Sequence, residues 1–180
     1  MKSLCILATV AIAILLPLAV QNQDVNPQKL VSPAAYTYIS KTLRAALEKR
    51  ACQLPQLDKY DAKNPANAIS GHFSSSMQTD WAALCIVDDR PRVVVVWGGK
   101  SACSEEITAG WPLQVSFAHE PGGGLFLGKA SPRTILDYRK FFGDANTNPV
   151  THEGINVGDE HASLIYYCDG KNWLQLQGED

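Results

Sequence analysis

Hydrophobic and polar positions along this chain fall into blocks, and each block predicts its own element. Residues 4–20, LCILATVAIAILLPLAV, form a 17-residue run without charge, preceded by Lys2. A short basic start followed by a brief apolar stretch is the pattern of a secretory signal. A run of this length also sits at the lower limit, about 17 residues, for a membrane span. Residues 1–20 are therefore expected to be a signal peptide, with an uncleaved N-terminal anchor as the alternative. Residues 21–31 are polar and read as a flexible lead-in, and 32–180 as one domain. Ser32-Pro33 supplies an N-cap with proline at the first helical position. Tyr36, Ile39, Leu43, Ala46 and Leu47 then recur at helical spacing, with Lys41, Arg44 and Glu48 opposite. This predicts an amphipathic helix over 33–50.

Beyond it, residues 53–67 read as a loop and Ile69 to Phe73 as a short strand. Residues 79–87, TDWAALCIV, and 91–97, PRVVVVW, flank the turn Asp88-Asp89-Arg90 and predict a central hairpin. The unbroken β-branched run Val93 to Val96 belongs to a strand covered on both faces. Residues 104–110 suggest a helical turn. Leu113, Val115 and Phe117 alternate with polar or small residues as a half-exposed strand, which Leu125 to Leu127 would join as a partner. Ser131-Pro132 caps a second helix that buries Ile135, Tyr138 and Phe142, exposes Arg133, Asp137 and Lys140, and ends at Gly143. Residues 144–160 read as a polar loop. HASLIYYC and KNWLQLQ flank Asp169-Gly170, predicting a two-residue hairpin turn with Gly170 at positive φ. Helix, strands, helix, strands predict an α+β domain: an antiparallel sheet with two amphipathic helices.

Composition narrows the function. Lys and Arg number 16, Asp and Glu 18, for a net charge of -2. That balance gives no basic field and argues against a nucleic-acid partner. After the apolar run the chain keeps Cys52, Cys85, Cys103 and Cys168. An even number in an exported chain reads as a disulfide framework, and four cysteines allow three pairings that spacing does not choose between. No C-x-x-C occurs, so thioredoxin and zinc-knuckle signatures are absent.

Several groups carry the residue types of a site. VVVVWGGKS lacks the glycine a phosphate loop needs, since position 94 is valine. Asp144, Asn146 and Asn148 begin like a calcium loop, but Pro149 stands where glycine is required and Ile155 where glutamate is. His152, Glu153, Asp159 and His161 bring imidazole and carboxylate into one short segment and are the best metal candidates, though without H-E-x-x-H. His72, Ser74, Ser75, Ser76 and Asp80 hold the types of a catalytic triad without the G-x-S-x-G elbow. The glycines 122–124 read as a turn. Of Trp81, Trp97, Trp111 and Trp173, the last alternates with Gln175 and Gln177. It falls on a polar face if Leu174 and Leu176 point inward, which makes Trp173 the candidate contact for a carbohydrate or a protein partner.

Three stretches, ISGHFSSSMQTDWAALC, VVVVWGG and HEGINVGDEHASLIYYCDGKNWLQLQGED, resemble a group of uncharacterised exported bacterial proteins, over roughly residues 43–180. The resemblance implies a small exported domain in which the segment around Cys52 pairs with the strand ending at Cys85. The expected bridges are Cys52–Cys85 and Cys103–Cys168. GHFSSSMQTDWAAL also looks like an FG-GAP propeller repeat, but it lacks the acidic calcium loop and occurs once, which excludes a propeller. The expected function is that of an exported, non-catalytic binding or envelope-associated protein, periplasmic or extracellular. No cofactor is expected, and no membrane contact after signal removal. A small secreted hydrolase using His152, Glu153, Asp159 and His161, with or without a metal, is the alternative.

Overall fold

Strand-forming residues dominate, and two meanders of them set the architecture. The computed structural model describes residues 29–56, 66–100, 103–110, 113, 124–144, 148–159 and 161–178. The first meander is β3 (Ala68–Gly71), β4 (Asp80–Val87), β5 (Arg90–Val96) and β6 (Glu106–Ile107), hydrogen-bonded in that order. The second joins β7 (Phe126–Ala130), β8 (Gly154–Gly158), β9 (Ser163–Cys168) and β10 (Trp173–Gln177), also in chain order. Every pairing is antiparallel. A short pair, β1 (Lys29–Val31) with β2 (Leu54–Gln56), is joined to β4 by an antiparallel bridge between Gln53 and Ile86. So the end of the expected lead-in is a strand, and so is part of the expected 53–67 loop.

The two sheets pack face to face. Ala82, Leu84, Val93, Val95 and Ile107 meet Leu127, Ile155, Val157 and Tyr166 in a core between them. On the outer face of the first sheet, Ala68, Ala83, Cys85 and Val94 lie under α1 (Lys41–Lys49). On the outer face of the second, Ile165, Tyr167 and Leu176 lie under α2 (Pro132–Phe141). The order of layers is helix, sheet, sheet, helix. Val93 and Val95 face one core and Val94 the other, as the β-branched run predicts. The β4–β5 turn is tight, with Asp88 and Asp89 both at positive φ, 49° and 60°. Such a turn matches the twist of the strands it joins.

Helix boundaries differ from expectation for local reasons. Ser32 caps only a 3-10 turn, Pro33–Ala35. The chain then straightens, because Tyr36 is drawn into the core and its hydroxyl donates to the Ala66 carbonyl, 3.0 Å. Ser40 is the true N-cap of α1, its Oγ accepting from the Leu43 amide at 3.0 Å. In α2 the Ser131 cap forms as expected. Phe142, however, is exposed, and Arg139 takes a buried place on the helix.

Two further elements correct the sequence reading. Residues 106–107 form β6 rather than a helical turn, with the Val95 amide donating to Glu105 O. The expected polar loop 144–160 contains β8, in which Ile155 and Val157 point into the inter-sheet core. Glycines at both ends of β8 hid it, yet they are required. A Cβ on Gly154 would stand 2.8 Å from the Tyr166 carbonyl oxygen. β7 pairs with β8, and the expected strand 113–117 lies, apart from Leu113, outside the described residues.

Two disulfides are present, Cys52–Cys85 and Cys103–Cys168. The first ties the residue after α1 to β4. The second ties the β5–β6 connection to the end of β9, across the two sheets. Among the described residues no helix is long and apolar enough to cross a membrane. The disulfides are compatible with export. The signal segment, residues 1–20, lies outside the described residues.

Candidate functional site

The sequence candidates separate once the fold is known. His152 and Glu153 precede β8, whereas Asp159 and His161 follow it. A strand of that length holds the two pairs roughly 20 Å apart. Among the described residues no three His, Cys, Asp or Glu side chains group to hold a metal ion. The two carboxylates have local structural tasks instead. Glu153 joins the sheets: its Oε2 accepts from the His72 amide at 2.8 Å, its amide donates to the His72 carbonyl, and Lys129 lies 3.2 Å from Oε1. Burial alone would raise its pKa, but the His72 amide and the Lys129 ammonium outweigh that and hold it below the ordinary value. Asp159 turns the chain into β9, its Oδ1 accepting from the His161 and Ala162 amides.

The serine cluster is likewise structural. Asp80 is fully buried and accepts from the Phe73 amide, the Ser74 amide and hydroxyl, the Gln78 side chain and the Gly98 amide. A buried carboxylate needs such donors. It anchors the 72–79 loop to β4 and β5. Ser74 bonds to Asp80 directly, while His72 Nδ1 turns to the Gln78 carbonyl at 2.8 Å, so no imidazole stands between serine and aspartate. Gly98 serves the same anchor, since a Cβ there would run into the Thr79 carbonyl oxygen. The glycine pair after β5 is thus a close-packing device. Of the calcium-like set, Asp144 and the Asn148 carbonyl both hold Arg139, at 3.1 and 2.7 Å.

The β9–β10 hairpin positions the remaining candidate, Trp173. Its connection is four residues, not two, because Trp173 pairs with Cys168. Asp169 Oδ1 accepts from the Lys171 and Asn172 amides, and the Asp169 amide donates to Asn172 O. The side chain has replaced a backbone acceptor and lengthened the turn. Those amides also hold the Asp169 carboxyl below its usual range. Gly170 has the expected positive φ, 96°.

Trp173 does point away from Leu174 and Leu176, but the face it occupies is the one turned toward the first sheet. Both faces of β10 are covered: Leu174 and Leu176 on the α2 side, Trp173 at the rim of the inter-sheet core. Sequence alternation names opposite faces without saying that one is wet. The indole is half-buried, stacks on Trp97 with centroids 5.7 Å apart and 15° between planes, and donates to the Ser104 carbonyl at 2.9 Å. Beside it runs an open groove of about 330 Å³, lined among others by Ser104, Glu106, Tyr166, Asn172 and Gln175. Tyr166 donates to Ala109 O at 2.6 Å, and its burial pushes the phenol up to about 12. The Trp97 Nε1 donor is buried beside this stack, with no partner among the described residues. Trp97, Ser104 and Tyr166 were not singled out as neighbours of Trp173. Only the sheet-to-sheet packing brings them there. No protein-family model, curated protein or solved structure matches the chain.

Proposed function

We propose that this is an exported, non-catalytic binding protein that holds a carbohydrate chain in the groove between residues 104–109 and the β9–β10 hairpin. Trp173 is its central contact. The observation that carries the reading is Trp173, stacked on Trp97 and standing on the wall of a groove whose lining also includes the polar side chains of Ser104, Glu106, Asn172 and Gln175. An indole plate covers the apolar face of a sugar ring, and the polar neighbours meet its hydroxyls. Two disulfides and the leader-like residues 1–20 support an extracytoplasmic location. The alternative, a metal-assisted hydrolase, needs His152, Glu153, Asp159 and His161 to converge, and they stand at opposite ends of β8.

A glycan array identifies bound oligosaccharides, and titration calorimetry with the best soluble one then compares parent and Trp173→Ala. The variant is expected to fold, because the side chain is half-buried, and to bind about 30-fold more weakly, the usual effect of losing a central tryptophan. Equal affinity of parent and variant overturns the reading. So does a parent that binds no oligosaccharide.

A further inference from the structure

The two packed sheets have outer strands β3 and β6 in the first and β7 and β10 in the second. An outer strand presents amide and carbonyl groups along its open side, a template for pairing with another chain, and chains that stay apart block it. Three of these edges are blocked by side chains. Beside β3, the Tyr38 hydroxyl donates to the Ala68 carbonyl at 3.2 Å. Just past its end, Glu153 accepts from the His72 amide through Oε2 and donates its own amide to the His72 carbonyl. On β7, Asn67 spans the edge, with Nδ2 donating to Leu125 O at 2.9 Å and Oδ1 accepting from the Leu127 amide. On β6, the Ser104 hydroxyl donates to Glu106 O at 2.8 Å, and Glu106 itself is paired with Arg50 and Arg92.

Among the described residues β10 has no such device. The Asp169 amide donates to Asn172 O and the Gly178 amide to Ser163 O, in the register that pairs Trp173 with Cys168. Hydrogen-bonded pairs alternate along an antiparallel ladder, so residues 172, 174, 176 and 178 turn their backbone bonds toward β9. Trp173 and Gln175 therefore aim their amides and carbonyls away from β9, and among the described residues nothing bonds to these groups. The strand reads WLQLQ. It holds neither charge nor proline, the residues that ordinarily guard an exposed edge.

The strand's own sequence points to its occupant. In antiparallel pairing about a two-fold axis at Leu174, the outward groups of Trp173 meet those of Gln175 in a second copy, and the reverse. Each free donor then finds a free acceptor. Leu174 faces its own counterpart, apolar against apolar, and no like charges stand opposite each other. A foreign strand would have to bring such a match with it, whereas a second β10 has it by symmetry. We infer that β10 is the contact edge of a symmetric dimer, in which the second sheets of two copies of this chain join into one continuous sheet through Trp173–Gln175 pairs. Dimerisation is read without any ligand, so its failure and that of the carbohydrate reading are separate outcomes.

The test is sedimentation equilibrium of the disulfide-bonded protein over a concentration series, with amide exchange followed by NMR. The parent is expected to dimerise, and its Gln175 amide to exchange more slowly as the dimer forms. Gln175→Pro deletes an amide that β9 does not use, so the β9–β10 ladder is kept while the edge is blocked. It is expected to weaken the dimer by about tenfold or more. Gln175→Lys puts a charge on the same edge at an exposed position, should act in the same direction, and serves if the proline variant fails to fold. A parent that stays monomeric up to about 1 mM overturns the inference. So does a dimer that the folded variants leave intact, or one in which the Gln175 amide exchanges freely. A monomeric parent whose Gln175 amide is protected by a synthetic peptide of residues 172–178 also overturns it, and assigns the edge to a foreign strand.

Discussion

The two helices cover their sheets through the same pair of places and fill one of them differently. α1 buries Leu43 and, one turn on, Leu47. α2 buries Ile135 and, one turn on, Arg139. Under α1 the second position closes an apolar cluster with Tyr36, Ile39, Cys52 and Val94. Under α2 the guanidinium brings Asp144 and Asn148 with it, and a pocket remains beside them. The first half is sealed by aliphatic packing. In the second, one charged side chain at an aliphatic position keeps a polar hollow open. The aromatic groove and the polar pocket both border the β9–β10 hairpin of that second half.

Exchanging the two designs tests the comparison most severely in one direction. Leu47→Arg places a guanidinium in the apolar cluster of Cys52, Ala83 and Val94. It should cost on the order of 5 kcal/mol or more and leave little folded protein, read as soluble yield and urea midpoint. A variant that melts like the parent would show that the α1 side is not sealed.

The bridges come next. Cys52–Cys85 acts within the first half over 33 residues, and Cys103–Cys168 joins the halves over 65. Loop closure puts each at about 4 kcal/mol, with the longer one about 0.6 kcal/mol larger. Paired cysteine-to-alanine variants in urea unfolding should reproduce that order. The reverse order would place more of the constraint inside the first half.

The link between sheets at Glu153 is smaller and depends on pH. Its folded pKa is depressed, so its contribution is fully present above the ordinary value near 4.5 and is lost as pH falls through the folded value. Urea midpoints of the parent should drop across that window. Glu153→Gln should flatten the part of the fall due to this group, and an unchanged profile would remove Glu153 from the account.

The smallest effect is expected from making α2 resemble α1. Arg139→Leu deletes a buried ion pair in favour of an aliphatic side chain, and Asp144, with 28% of its side chain exposed, can turn to water. Stability should change by less than about 1 kcal/mol. A loss of several kcal/mol would mean that the ion pair, not the apolar stripe, seats the helix.

What the sequence disclosed follows from how local each cause is. The β4–β5 hairpin was legible because Val93 to Val96 and the Asp88-Asp89 turn are contiguous signals. The Ser131-Pro132 start of α2 was legible for the same reason. Arg139 was not, because its partners lie beyond the helix end and a charge on the buried stripe defies simple amphipathic reading. β8 was hidden by Gly154 and Gly158, which are there for close approach and dilute the strand pattern. Trp173 faces away from Leu174 and Leu176, as alternation predicts, but toward the first sheet and not toward a polar surface. Its neighbours Trp97, Ser104 and Tyr166 come from distant positions, and no local pattern joins them.

The pairing of the cysteines also has a temporal meaning. After residue 20 they occur in the order 52, 85, 103, 168, and each bridge joins neighbours in that order, first with second and third with fourth. A chain that emerges from its N-terminus into an oxidising space presents Cys85 while Cys52 is the only earlier cysteine among the four. The correct first bridge therefore closes before either competitor arrives. Cys103 then waits for Cys168 with no other free thiol among them. Such a connectivity can be reached by oxidation in order of emergence, with no step in which a wrong bridge must be broken, so the slow reshuffling phase of seconds to hours has no obligatory place in its maturation.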